Sequence, residues 1–212
     1  MKKSLIILSL LAYSAMADEA KVQKPSPVVQ EGVKYIKMLG KGLKAEVKAR
    51  MKEDPTGAKA ADFCANSAKD IAKKISAKFP EGVTVRRTAL KYRNPDNKPD
   101  DIDTKVMNQM LEAKKNKTFK AKPVVVEAGD KVRVYKPLLI NDVCLKCHGD
   151  SAKMDAKVKE TIAKKYPEDN ATGFKLYDLR GVIVAELPNP KAKEKAEAKS
   201  EVKEEKKVEE KK

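Results

Sequence analysis

The chain carries a single histidine, and it closes the segment Cys144-Leu145-Lys146-Cys147-His148. C-x-x-C-H is the attachment signature of c-type haem. The two thiols add across the two porphyrin vinyl groups as thioethers, and two intervening residues match the spacing of those vinyls. The histidine that follows is held under the ring, where an imidazole nitrogen binds iron. With no second histidine in the chain, the opposite face of the iron must take another kind of ligand.

Two other chemistries use parts of this pattern. A zinc site needs four sulfur, imidazole or carboxylate ligands, which Cys64, Cys144, Cys147 and His148 supply in number. Zinc sites usually join two close pairs, however, and Cys64 stands alone. A thioredoxin-like pair belongs in a βαβ setting, which the flanks do not show. One covalently bound haem c is therefore the expected cofactor. For the second axial position the sequence offers Cys64, Met38, Met51, Met107 and Met110, with lysines as outsiders. Met154 follows His148 too closely to reach the other face. Methionines in amphipathic helices ordinarily fill core gaps, and a free cysteine is often simply buried. The residues alone leave this choice open.

The elements that must position these groups follow from periodicity. Val29, Val33, Ile36, Leu39, Leu43, Val47 and Met51 recur at helical spacing, which predicts an amphipathic helix over 27–52. Asp54-Pro55 has the form of a helix cap followed by a first-turn proline. A second helix is expected to run on to Lys78 with Cys64, Ala68, Ile71, Ile75 and Phe79 on its buried stripe. Val83–Leu90 reads as a strand, and the Pro-, Asn- and Asp-rich stretch from Arg93 to Asp101 as a loop. Ile102–Leu111 reads as a short helix. Pro123–Glu127 and Val132–Ile140 read as two strands around a turn, Met154–Lys165 as a helix and Gly181–Leu187 as a last strand. The expected class is α+β, with an antiparallel sheet and N-terminal helices.

Composition bounds the setting. Lys2 and Lys3, an apolar run to Tyr13 and Ala15-Met16-Ala17 have the form of a cleavable signal peptide over residues 1–17. Its apolar run falls short of the ~20 residues that span a bilayer, so no stable membrane span is expected. Export to the periplasm is where attachment by this motif takes place. Residues 18–190 are read as one haem-binding domain and the Lys/Glu-rich segment 191–212 as a disordered tail. Lys and Arg number 47 against 31 Asp and Glu, a net charge of +16. Outside the cytoplasm this argues against nucleic acid and for an acidic redox partner or an anionic membrane surface, reached by long-range attraction, unless the lysines serve only as a solvated surface.

Several segments together carry a resemblance. They are Phe63-Cys64-Ala65, Val85-Arg86-Arg87-Thr88, Arg93-Asn94-Pro95-Asp96-Asn97-Lys98-Pro99-Asp100, Val143 to Gly149, Tyr166 to Phe174, and Asp178-Leu179-Arg180-Gly181. In these the chain resembles the periplasmic single-haem c-type family with a PAS-like fold, the Tll-like haem domain, which also occurs as a sensory domain. The resemblance covers Phe63 to Pro188; the first helix matches only in pattern and the tail not at all. It implies a PAS-like core over 55–188 packed around the haem, and a cysteine thiolate as second axial ligand, at the position of Cys64. It also directs attention to Arg86, Arg87, Arg93 and Asn94 as contacts for the haem propionates, since the planar guanidinium suits carboxylates. Tyr177 stands where a glycine is expected. With both axial positions filled the iron has no site for substrate, so no enzymatic activity is expected. The implied function is low-potential electron transfer; the alternative is a redox or gas (CO/NO) sensor acting through a separate partner protein.

Overall fold

The computed structural model describes residues 25–192. The expected signal peptide and all but the first two residues of the expected tail lie outside the described residues.

The first helix, α1 (Pro27–Glu53), has a proline in its first turn and Arg50 and Lys52 in its last, as a helix dipole favours. Its buried stripe is Gly32, Tyr35, Ile36, Leu39 and Leu43. Two short helices follow, α2 (Ala58–Asn66) and α3 (Ala68–Ser76). Then come β1 (Thr84–Thr88), a 3-10 turn over Pro95–Asn97, α4 (Asp101–Lys115), β2 (Val124–Ala128) and β3 (Lys131–Leu139). The chain ends with α5 (Asp142–His148), a 3-10 turn over Ser151–Lys153, α6 (Ala156–Lys165) and β4 (Leu179–Pro188).

The four strands form one antiparallel sheet in the order β1-β4-β3-β2. The last strand is thus central, and helices cover both of its faces. Ile183, Ala185 and Leu187 point toward α1, beside Val85, Val132 and Val134. Val182 and Val184 point to the other face, with Tyr135 and with Val106, Met107 and Met110 of α4. Burial on both faces is why 181–187 reads as an unbroken apolar run in an antiparallel strand. At Gly32, α1 lies so close to the sheet that a Cβ would sit 2.7 Å from Val134 Cγ2.

Asp100 and Asp103 form a reciprocal capping box that starts α4, and the helix runs on past its apolar pattern to Lys115. Asp103 is fully buried. Its carboxylate accepts from Arg86 Nη1 at 2.7 Å and Tyr135 Oη at 2.9 Å, and so fastens α4 to the sheet.

Two local expectations need correction. The single helix from Pro55 to Lys78 is two helices, broken at Ser67, whose φ of −120° leaves the helical range. The cap is not Asp54-Pro55 but Gly57, at φ 94°. Asp54 instead accepts from the backbone N–H groups of Thr56 and Lys59 across the turn. α2 buries Ala60, Ala61 and Phe63, while Cys64 is exposed rather than part of the core stripe. Among the described residues no helix is long and apolar enough to cross a membrane.

Candidate cofactor site

β3 delivers the chain to the site. Asn141 caps α5, its side-chain oxygen accepting from Cys144 N at 3.2 Å. One short helix then carries Cys144, Cys147 and His148. It ends at Gly149, whose N–H donates to Leu145 O at 3.0 Å. A Cβ at Gly149 would lie 2.6 Å from that same oxygen, so only glycine makes this exit without a shift. The loop after α6 is then stitched to the exit: Gly173 N donates to Gly149 O at 2.8 Å and Phe174 N to His148 O at 3.0 Å.

The same loop orients the histidine. His148 Nδ1 lies 2.7 Å from Ala171 O. A carbonyl only accepts, so Nδ1 carries the hydrogen and Nε2 keeps its lone pair for a metal. Burial, with Arg180 and Arg93 nearby, pushes the imidazole well below its ordinary pKa. The ring is therefore neutral at physiological pH, the form that ligates. Phe174 meets it edge-on, with centroids 6.3 Å apart.

Two cavities flank this histidine and share Arg87, Asn97, His148 and Arg180 in their walls. One, of about 680 Å³, lies between α2–α3, β1 and α6 and is lined by Cys64, Cys147 and Tyr166 among others. The other, of about 590 Å³, lies against α1 and is lined by Leu43, Val47, Met51 and Cys144. Both fall within the ~300–1,000 Å³ common for cofactor sites. The two motif cysteines thus line different cavities, one on each side of His148. Burial raises the Cys147 thiol to about 11.

Placement narrows the sulfur candidates. Met107 and Met110 are buried under α4 on the far face of the sheet. Met38 packs against the α1 core, and Met154 is buried with Ala61, Val158 and Ile162. Cys64 and Met51 remain on the cavity walls. Cys64 reaches solvent because its cavity is open, yet its thiol is recessed. Burial raises its pKa, against the opposing pull of Arg87, Arg93 and Arg50. Among the described residues no three His, Cys, Asp or Glu side chains are grouped to hold a metal ion.

The anion-binding residues expected from sequence are divided. Arg87, Arg93 and Asn94 border the first cavity. Arg86 also lines this cavity, and its guanidinium is engaged by Asp103 and Glu186. Asn94 uses its side-chain oxygen to cap the 3-10 turn, accepting from Asp96 N. Arg93 binds Asp169 at 3.0 Å, and its buried Nε has no hydrogen-bond partner among the described residues. Sequence reasoning missed Arg180. It lies at the start of the apolar strand β4 and borders both cavities; a lone charge opening a buried strand was the available signal. Burial beside Arg93 and Arg87 lowers it to about 10, still protonated at neutral pH. Three guanidinium groups thus surround the site with Asp169 as counter-charge, and one buried donor is unused. Such a set suits a ligand that brings carboxylates.

The Tyr177 position keeps the geometry of the glycine expected there. Its φ is 65°, its N–H donates to Ile140 O at 2.9 Å, and its ring is 71% exposed.

The fold and the site define an α+β domain with a C-x-x-C-H helix beside an arginine-bordered cofactor cavity. More particularly, the chain belongs to the Tll0287-like family, whose model matches residues 4–188 and so takes in α1 as well. Its structure is similar to the crystal structure of the cyanobacterial heme-protein Tll0287, with a TM-score of 0.59 and 26% identity. That similarity covers 79% of this chain and 98% of the other. No curated protein matches the chain significantly.

Proposed function

We propose that the protein is an exported c-type haem protein that transfers electrons at low potential. Cys144 and Cys147 would hold one haem by thioethers, His148 would bind its iron through Nε2, and Cys64 would take the opposite face. Bound haem supplies a one-electron iron couple, and a thiolate ligand favours its ferric state. The observation that supports this reading is the first cavity, which Cys64, Cys147 and His148 all line together with Arg87, Arg93 and Arg180. Arg87, Arg180 and the unused Nε of Arg93 are the donors available to propionates. The fit is chemical: two thiols at vinyl spacing, a neutral imidazole with a free lone pair, and cations short of anions.

Low potential and two filled axial positions argue for electron transfer rather than catalysis. Exposed Lys44, Lys48 and Lys73 rim the two cavities, which supports an acidic redox partner steered to the cofactor edge. The periplasm is the proposed location, on the strength of the N-terminal leader pattern.

The test is a pyridine haemochrome assay on the full chain expressed with export and haem-attachment machinery. A c-type spectrum with one haem per chain is expected. A haem-free product, or a haem extracted by acid solvent, overturns the reading. A sensor role is the second reading, favoured by one observation: Cys64 sits where the cavity opens to solvent. Loss of its thiolate on reduction would admit carbon monoxide or nitric oxide. Potentiometry under carbon monoxide separates the two. A reversible couple indifferent to the gas favours the carrier, and tight binding to the reduced form favours the sensor.

A further inference from the structure

We infer that Arg93 and Asp169 form a counter-charged pair that positions His148 and sets the electron affinity of the iron it binds. The inference rests on the haem reading above. Arg93 Nη2 lies 2.6 Å from Cys147 O, 3.0 Å from Asp169 Oδ2 and 3.3 Å from Ala171 O. Ala171 O is also the acceptor for His148 Nδ1–H. Asp169 Oδ1 accepts from Ala171 N at 2.9 Å. One guanidinium nitrogen therefore touches both the carbonyl of an attachment cysteine and the carbonyl that orients the axial histidine.

A loop clamp alone would need only the hydrogen bonds. The charges add something more, because both side chains are largely buried, at 12% and 8% exposure. There a charge acts with less screening than in water. A guanidinium against Ala171 O draws electron density from that oxygen and weakens its hold on Nδ1–H. The imidazole is then a poorer donor to iron, which favours the reduced state. Asp169 opposes this by partly neutralising Arg93. The two residues thus act on the potential with opposite signs, although they belong to one ion pair and one loop.

The sign difference is the test. Arg93→Gln, Arg93→Lys and Asp169→Asn are prepared in the full-length haem-loaded protein. Haem content is measured by haemochrome and the ligand set by electron resonance before each potential is taken. Arg93→Gln is expected to shift the redox equilibrium about tenfold toward the ferric form, about 59 mV for one electron. Asp169→Asn is expected to shift it by a similar factor toward the ferrous form, and Arg93→Lys, which keeps the charge but not the guanidinium fork, to shift it toward the ferric form by less than Arg93→Gln. Shifts of the same sign in Arg93→Gln and Asp169→Asn, or none in either, overturn the inference and leave a structural clamp. Should Arg93→Gln fail to fold, the near-isosteric Asp169→Asn decides alone, and a fall or no change rejects the pair's role. A wild-type chain without haem is a different failure: it overturns the haem reading itself.

Discussion

His148 Nδ1 lies 2.7 Å from the carbonyl oxygen of Ala171, 23 residues further along the chain. Because the acceptor is backbone, substitutions at Ala171 that keep the loop also keep the bond. His148→Ala, by contrast, removes the proposed ligand and leaves both thiols. The expected product still carries covalent haem by haemochrome assay, at reduced yield, with its low-spin ferric signal lost. An unchanged low-spin signal would show that His148 is not an axial ligand.

Cys64 and Met51 are the sulfurs on the cavity walls beyond the attachment pair. Cys64→Ala is expected to turn the ferric haem high-spin. Should a new low-spin signal arise instead, adding Met51→Leu is expected to abolish it. Electron resonance reads both results, and the parent signal persisting in Cys64→Ala would rule out thiolate ligation.

Asp103 is fully buried beneath α4, on the face of the sheet away from the site. Asp103→Ala leaves Arg86, Arg133 and Tyr135 short of an acceptor. The expected loss is about 3–5 kcal/mol, as for other buried charge networks broken on one side. Urea unfolding checks it: the midpoint should fall with little change of slope. Haem attachment in the folded fraction should be unaffected. A loss under 1 kcal/mol would mean that the network is not what fastens α4.

Acid should weaken the same corner of the fold. Burial acts to raise the Asp100 carboxyl, but the Asp103 N–H, Arg133 and Arg86 outweigh it and hold the pKa below its ordinary 3.8. The unfolded chain then takes up this proton first. The contribution is complete above the ordinary carboxylate range and is lost as pH falls through the lowered folded value. Urea midpoints measured from pH 7 to pH 2.5 should drop at the acid end, and Asp100→Asn should flatten that part of the curve. Equal acid sensitivity in the variant would assign the effect to other carboxylates.

Much of the architecture is legible in the sequence. Residues spaced for α1 and the alternation of the β1 and β3 segments placed those elements to within a few residues, because local periodicity reports which face is buried. The leader pattern and all but the first two residues of the Lys/Glu tail lie outside residues 25–192, so their reading is one of composition. The break at Ser67 was not legible. Cys64, Ala68, Ile71 and Ile75 keep helical spacing across it, and the φ of −120° comes from packing α2 and α3 on different neighbours. Gly57 as the cap was hidden by a better-looking Asp54-Pro55.

The sequence by itself determined the chemistry that the site can hold: two thiols and one imidazole in five residues, and a third thiol with nothing near it in the chain. Covalent spacing suffices there, because attachment depends on neighbours along the backbone. Only the tertiary structure decided which distant groups share that space. It turned Cys64 out of the core onto the cavity wall, removed Met107 and Met110 to the far face of the sheet, tied Arg86 to Asp103, and brought Arg180 and Arg93 beside His148. Those outcomes depend on strand pairing and helix breaks that join residues as far apart as Cys64 and Arg180, and no local pattern encodes them.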